Sequence, residues 1–175
     1  MANDFTYQIL KDTTEHTTIK LTGLFSGSDG QESNVVRIQA NSLYGAMDAT
    51  KTHNLSDPAN TGALPYYGLS ISRIWYDCPM SNGNIELFWN ADTKCTIFQL
   101  NGNSEYDGQG NWIVIPNNSR GTANSKGDIG IVTRGCQAND SYTLVVELRK
   151  DNSDYQRGQF NDPAAFNYPP YDITP

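Results

Sequence analysis

The chain has 175 residues, a length that suits one domain and is enough to bury a core without disulfides or a metal. Charged residues make up only 18%, against 18 Asn, 15 Thr, 13 Ser and 15 Gly; these compete for backbone hydrogen bonds or loosen the backbone, which argues against an ordinary helical bundle. A net charge of −7, with no basic block longer than Arg149-Lys150, argues equally against a protein that neutralises nucleic-acid phosphates.

In chain order, Met1-Ala2-Asn3-Asp4 carries neither a basic flank nor an apolar segment, so no export signal is expected. No apolar run approaches the roughly 20 residues of a membrane span. Strand patterns follow at residues 5–9, 17–21 and 35–38. Residues 41–68 form a long connection holding Tyr44-Gly45-Ala46-Met47 and Pro65-Tyr66-Tyr67-Gly68, with room for a short helix over 43–49. A connection of that length in a compact domain is more often a functional or contact loop. Residues 69–76 are strand-like, but Arg73 interrupts the alternation, which predicts a bulge or an edge.

Further strands are expected at 85–89, 96–100, 112–115 and 129–132. The clearest is 141–149, with Tyr142, Leu144, Val146 and Leu148 on one face and Thr143, Val145, Glu147 and Arg149 on the other. The separators are turn chemistry, such as Asp12-Thr13-Thr14, Ser81-Asn82-Gly83, Asn101-Gly102-Asn103 and Ala138-Asn139-Asp140. About nine short strands at hairpin spacing predict an all-β chain, an antiparallel, jelly-roll-like β-sandwich over residues 1–150.

Residues 151–175 read differently. Tyr155, Phe160, Phe166, Tyr168 and Tyr171 are spread along a segment without a usable period, and prolines at 163, 169 and 170 favour extended geometry. A solvating linker would be poor in aromatics. This extended C-terminal arm is therefore expected to lie against something, either its own domain or a neighbouring subunit.

The search for chemistry returns no catalytic set. The two histidines, His16 and His53, fall at a hairpin shoulder and in the long loop, where solvation is expected. There is no G-x-S-x-G elbow. Cys78, Cys95 and Cys136 are odd in number and widely spaced, and are expected to be reduced, small hydrophobic residues. Glu86 and Glu147 alternate with apolar neighbours and so belong to outer strand faces, Glu105 sits by a turn, and Glu15 and Glu32 sit in loops. They read as ordinary surface carboxylates rather than the facing pair that glycoside hydrolysis needs. No calcium loop, Walker, dinucleotide or zincin pattern occurs, so no cofactor and no metal is expected. The aromatics Tyr44, Tyr66, Tyr67, Trp75, Tyr106 and Trp112 suit sugar stacking, protein contact or core packing alike.

The strand sequences carry a resemblance. Tyr7-Gln8-Ile9-Leu10-Lys11-Asp12, followed by Ile19-Lys20-Leu21-Thr22-Gly23, resembles the start of small β-sandwich virion structural proteins of tailed bacteriophages. The runs Gly83 to Trp89, Phe98 to Gly102, Ile115 to Asn118, Gly127 to Ile131 and Tyr142 to Lys150 are similar to that pattern as well. The resemblance implies a non-enzymatic, multi-copy particle component, a capsid decoration (cement) protein that binds the major capsid protein on the shell exterior and bridges capsomers. A trimer or other symmetric cluster, made in the host cytoplasm, is expected. Tyr44, Tyr66, Tyr67, Tyr155, Phe160, Phe166, Tyr168 and Tyr171 are the expected protein-contact residues. A carbohydrate- or receptor-binding module of a tail fibre or spike, and a neck or collar component, are the rival readings.

Overall fold

The computed structural model describes residues 4–27, 32–46, 67–108, 114–119, 122, 124–150 and 155. Ten strands run through them: β1 (Asp4–Asp12), β2 (His16–Leu24), β3 (Val35–Ile38), β4 (Leu69–Cys78), β5 (Asn84–Trp89), β6 (Cys95–Leu100), β7 (Gly102–Asp107), β8 (Ile115–Pro116), β9 (Ile129–Arg134) and β10 (Ser141–Lys150). Among the described residues there is no α-helix. A 3-10 turn at Ala40–Ser42 precedes the place where a short helix had room to form, and residues 43–46 continue it as a turn and a bridge.

The strands form two antiparallel sheets, β1-β2-β10-β4-β7 with β8 also paired to β4, and β3-β9-β5-β6. The pairs β2·β10, β3·β9, β4·β7 and β5·β6 nest one inside the next. They describe one long hairpin whose tip lies between β5 and β6. Rolling it closes β10 onto β4 and β9 onto β5. That wind is a jelly roll with β1 added at one edge.

Alternation decides which side chains enter the core. Tyr142, Leu144, Val146 and Leu148 of β10 are buried beside Ile19 and Leu21 of β2. Ile85, Leu87 and Trp89 of β5, with Ile129 and Ile131 of β9, belong to the same core cluster. Each fully buried aliphatic or aromatic side chain here contributes about 1.5–3 kcal/mol relative to exposure.

The interruption at Arg73 is a bulge. Glu147 is opposite Arg73 while Leu148 is opposite Ile71, which leaves Ser72 as the extra residue. Its hydroxyl donates to the Glu147 carbonyl at 3.1 Å, and its own carbonyl accepts from the Gly108 N–H at 2.9 Å. β4 is nevertheless an interior strand. Gly127 fixes another crossing: its φ is +88°, and a Cβ there would lie 2.0 Å from the Tyr67 carbonyl oxygen.

The two layers differ in width. The Arg37 guanidinium of β3 lies 3.4 Å from the centre of the Phe5 ring of β1, which places β3 over β1. At the far side Phe98 of β6 meets Tyr106 of β7 at 5.4 Å. β3 has four residues against the nine of β1, so it covers Phe5 and leaves much of the inward face of β1 open.

Candidate functional site: an apolar flank and an outer-face cleft

Tyr7 is opposite Leu21 and Ile9 opposite Ile19, so both share the core-facing side of the sheet. They are nevertheless 38% and 44% exposed, because the short β3 does not reach them. A bulge between Ile9 and Lys11 leaves Leu10 unpaired with β2, and it is 50% exposed. Leu24, opposite Asp4 at the end of β2, is 48% exposed, and Tyr44 is 64% exposed. The Tyr44 N–H donates to Asp12 Oδ2 at 2.8 Å, which fixes this residue at the end of β1. All five large hydrophobic side chains exposed among the described residues therefore gather along β1 and its immediate neighbours.

The end of this flank is built on a buried lysine. Lys150, whose side chain is fully buried, pairs with Asp12 and donates to the carbonyl oxygens of Thr13 and Tyr44, each at 2.7 Å. Asp12 also accepts from the Thr17 hydroxyl. Burial pulls the Lys150 pKa down, and the Asp12 carboxylate works against that fall. The ammonium lies 5.0 Å from the centre of the Tyr155 ring.

Tyr155 is itself fully buried. It bridges Ala46, donates its hydroxyl to the Ala40 carbonyl at 2.8 Å, and meets the Tyr67 ring at 5.6 Å. Tyr67 is buried too. Two of the rings expected to contact a partner are thus spent on the chain's own interior, because apolar area from β4's approach and the 40–46 turn closes over them. Of that set, only Tyr44 is described and exposed. Tyr66, Phe160, Phe166, Tyr168 and Tyr171 lie outside the described residues, as do Trp112 and His53.

A second feature lies on the outer face of the larger sheet. Trp75, Asp77, Asn103, Glu105, Thr143 and Val145 line an open cleft of about 520 Å³. The pairing explains the grouping: Trp75 is opposite Val145 on one side and Glu105 on the other, and Asp77 is opposite Thr143 and Asn103. The Arg73 guanidinium, paired with Asp107, stands 4.6 Å from the Trp75 ring and steadies it.

The acidic residues take two different positions. Glu86 is on an outer strand face, as alternation predicts, yet it is nearly buried. The Thr96 hydroxyl donates to it at 2.5 Å and Arg134 at 3.0 Å, and these contacts, the Thr96 bond first, hold its pKa below the usual carboxylate value. Glu32, expected in a solvated loop, is buried. It pairs with Arg37, accepts from the Tyr142 hydroxyl at 3.3 Å, and receives Thr133 Oγ1 as an acceptor for its own N–H at 2.7 Å. Its neighbours in sequence give no sign of that burial.

The three cysteines are unpaired with one another, and Cys78 and Cys136 are buried. Burial, with Asp77 and Cys136 nearby, pushes the Cys78 thiol up to about 12, so it stays protonated at neutral pH. Among the described residues no group of three His, Cys, Asp or Glu side chains gathers as a metal site.

Comparison with protein-family models, with curated proteins and with solved structures gave no match.

Proposed function

We propose that this chain is a non-enzymatic virion structural protein, a capsid decoration (cement) protein that binds the outside of a shell and bridges its capsomers. The observation that carries the reading is the flank: of the large hydrophobics exposed among the described residues, Tyr7, Ile9 and Leu10 lie on the edge strand β1, with Leu24 beside one of its ends and Tyr44 beside the other. Exposed apolar side chains concentrated along one edge are the kind of surface that serves interaction. The strand sequences that resemble phage virion proteins supply the kind of particle. Jelly rolls build capsid and lectin domains alike, so the wind is compatible with the reading without selecting it.

Low charge density keeps desolvation at such contacts cheap, and many copies on a symmetric shell multiply modest affinities. The test is incubation of the purified chain with undecorated shells. Saturable binding that Ile9→Lys with Leu24→Lys weakens at least tenfold supports the proposal, and absence of saturable binding at neutral pH overturns it.

The outer-face cleft favours a second reading, a saccharide-binding module. A planar indole flanked by the Asp77 and Glu105 carboxylates and the Asn103 amide offers a stacking surface with hydrogen-bonding groups around it. Glycan-array signal abolished by Trp75→Ala would establish it. A silent array would remove it.

A further inference from the structure

We infer that the flank is a self-recognition edge, where β1 of one copy pairs antiparallel with β1 of a second copy across a twofold axis. The inference rests on the reading of the flank as an adhesive surface: pairing takes up Tyr7 and Ile9 and leaves Leu24 and Tyr44 to contact the shell. β1 is the terminal strand of its sheet, paired with β2 alone among the described residues. It is nine residues long and exposed along most of its length. Long exposed edges normally carry charge, proline or other devices that block pairing. Here the devices sit at the ends: the bulge at Leu10 and the charges Asp4, Lys11 and Asp12 flank residues 5–9, which carry no charge and no proline and stay in unbroken register with β2.

A twofold axis normal to a sheet must pass through a residue, because only then do directly opposed side chains share a face. With the axis at Gln8, Tyr7 of each copy is opposite Ile9 of the other. The four half-exposed side chains then form one apolar cluster on the inward face, where β3 leaves them uncovered. On the outward face the bulge at Leu10 brings Lys11 of each copy opposite Thr6 of the other, which makes Lys11 a diagonal neighbour of Asp4. The Asp12 carboxylate at that end is already paired with Lys150, so Asp4 meets no uncompensated negative charge. Directly opposed aromatic–aliphatic pairs such as Tyr7 with Ile9 stabilise a sheet edge, and the diagonal Asp4 and Lys11 charges add to this. The product is one continuous sheet through two copies, a twofold unit where a threefold cluster was expected. Leu24 of each copy remains on its outer face.

The experiment uses the full chain. Light scattering on a size-exclusion column should give twice the monomer mass at high micromolar concentration, and Ile9→Lys should halve it with an unchanged circular-dichroism spectrum. Gln8→Cys should form a reductant-sensitive covalent dimer under mild oxidation. Thr22→Cys, on β2 and one strand in from the edge, should not.

A wild-type chain that stays monomeric, with no Gln8→Cys dimer, overturns the inference. So does a monomer whose β1 amides are protected from hydrogen exchange, since the chain's own residues would then cover the edge. Shell binding is read separately: a monomer that saturates shells overturns the pairing alone, whereas a dimer that ignores shells supports the pairing and overturns the cement function alone.

Discussion

The Tyr155 hydroxyl donates to the Ala40 carbonyl at 2.8 Å, joining two residues 115 positions apart. Tyr155 is as buried as Ile19 or Leu144, although the sequence assigns it to an arm beyond residue 150. Removing only the hydroxyl, as Tyr155→Phe, should cost about 1 kcal/mol. Tyr155→Ala should cost roughly 3–5 kcal/mol, since it opens a cavity against Tyr67. Urea unfolding of both variants checks this. The same contact predicts that a chain cut after residue 150 is markedly less stable than one cut after 155, so a truncation that tests the arm's contribution to attachment must keep Tyr155.

Lys150→Met should destabilise by about 3 kcal/mol or more, because it strands a largely buried Asp12 and frees two carbonyl groups that the ammonium now satisfies. The measurement is the urea midpoint. A change below about 0.5 kcal/mol, the range of ordinary surface substitutions, would show that the lysine is not the clasp described.

Acid should weaken the fold through Glu86. Its folded pKa is depressed, first by the Thr96 hydroxyl and then by Arg134. It therefore contributes stability above the unfolded value, about 4.3, and loses it as pH falls through the folded value. Glu86→Gln should flatten the decline of the thermal midpoint between about pH 5 and pH 3. An unchanged slope would place the acid sensitivity elsewhere.

Asp128 has the opposite sign. Burial raises its pKa, while the Ala40 N–H bond at 2.8 Å and the Lys126 charge work against that rise. Its ionised form thus costs stability above the unfolded pKa, and the cost is relieved as pH falls through the raised folded value. Asp128→Asn keeps an acceptor for the Ala40 N–H and sheds the charge. Thermal unfolding should show the variant more stable than the parent at neutral pH, with the advantage gone near pH 3, where the parent is protonated.

Gly127→Ala should be among the costliest small substitutions. Its positive φ alone costs roughly 1–3 kcal/mol for a residue with a Cβ, and the new carbon would meet the Tyr67 carbonyl at 2.0 Å. Gly27, with nothing within 4 Å of its Cβ position, is the control. Gly27→Ala should move the midpoint far less.

Period-two alternation carried most of the fold. It identified β1 to β6, β9 and β10, and it put the core face of β10 on Tyr142, Leu144, Val146 and Leu148. It missed β7, because Gly102–Asp107 is an edge strand whose residues are nearly all exposed and Asn101-Gly102-Asn103 reads as a turn. Of the strand expected over 112–115, only Ile115 belongs to β8, while 112 and 113 lie outside the described residues.

The flank was half legible. Alternation marked residues 5–9 as a strand with Tyr7 and Ile9 on one face, but their exposure depends on the length of β3 in the opposite layer, which no local pattern in β1 encodes. Tyr155 and Glu32 were illegible for the same reason: each is buried by partners more than 60 positions away, Ala40 and Tyr67 for one, Thr133 and Tyr142 for the other. Trp75 stood among the rings that suit stacking, contact or core packing alike. Its company of Asp77, Asn103, Glu105 and Thr143 required the sheet register.

The place of β10 between β2 and β4 has a consequence for biosynthesis. On the ribosome, the first eight strands and β9 emerge before the segment that joins β2 to β4, so the larger layer stays split until residue 150 has cleared the exit tunnel. Such late, long-range closure makes for slow maturation and leaves unpaired edges open to wrong neighbours meanwhile. Nascent chains stalled before β10 should therefore be more protease-sensitive than chains in which residue 150 has emerged.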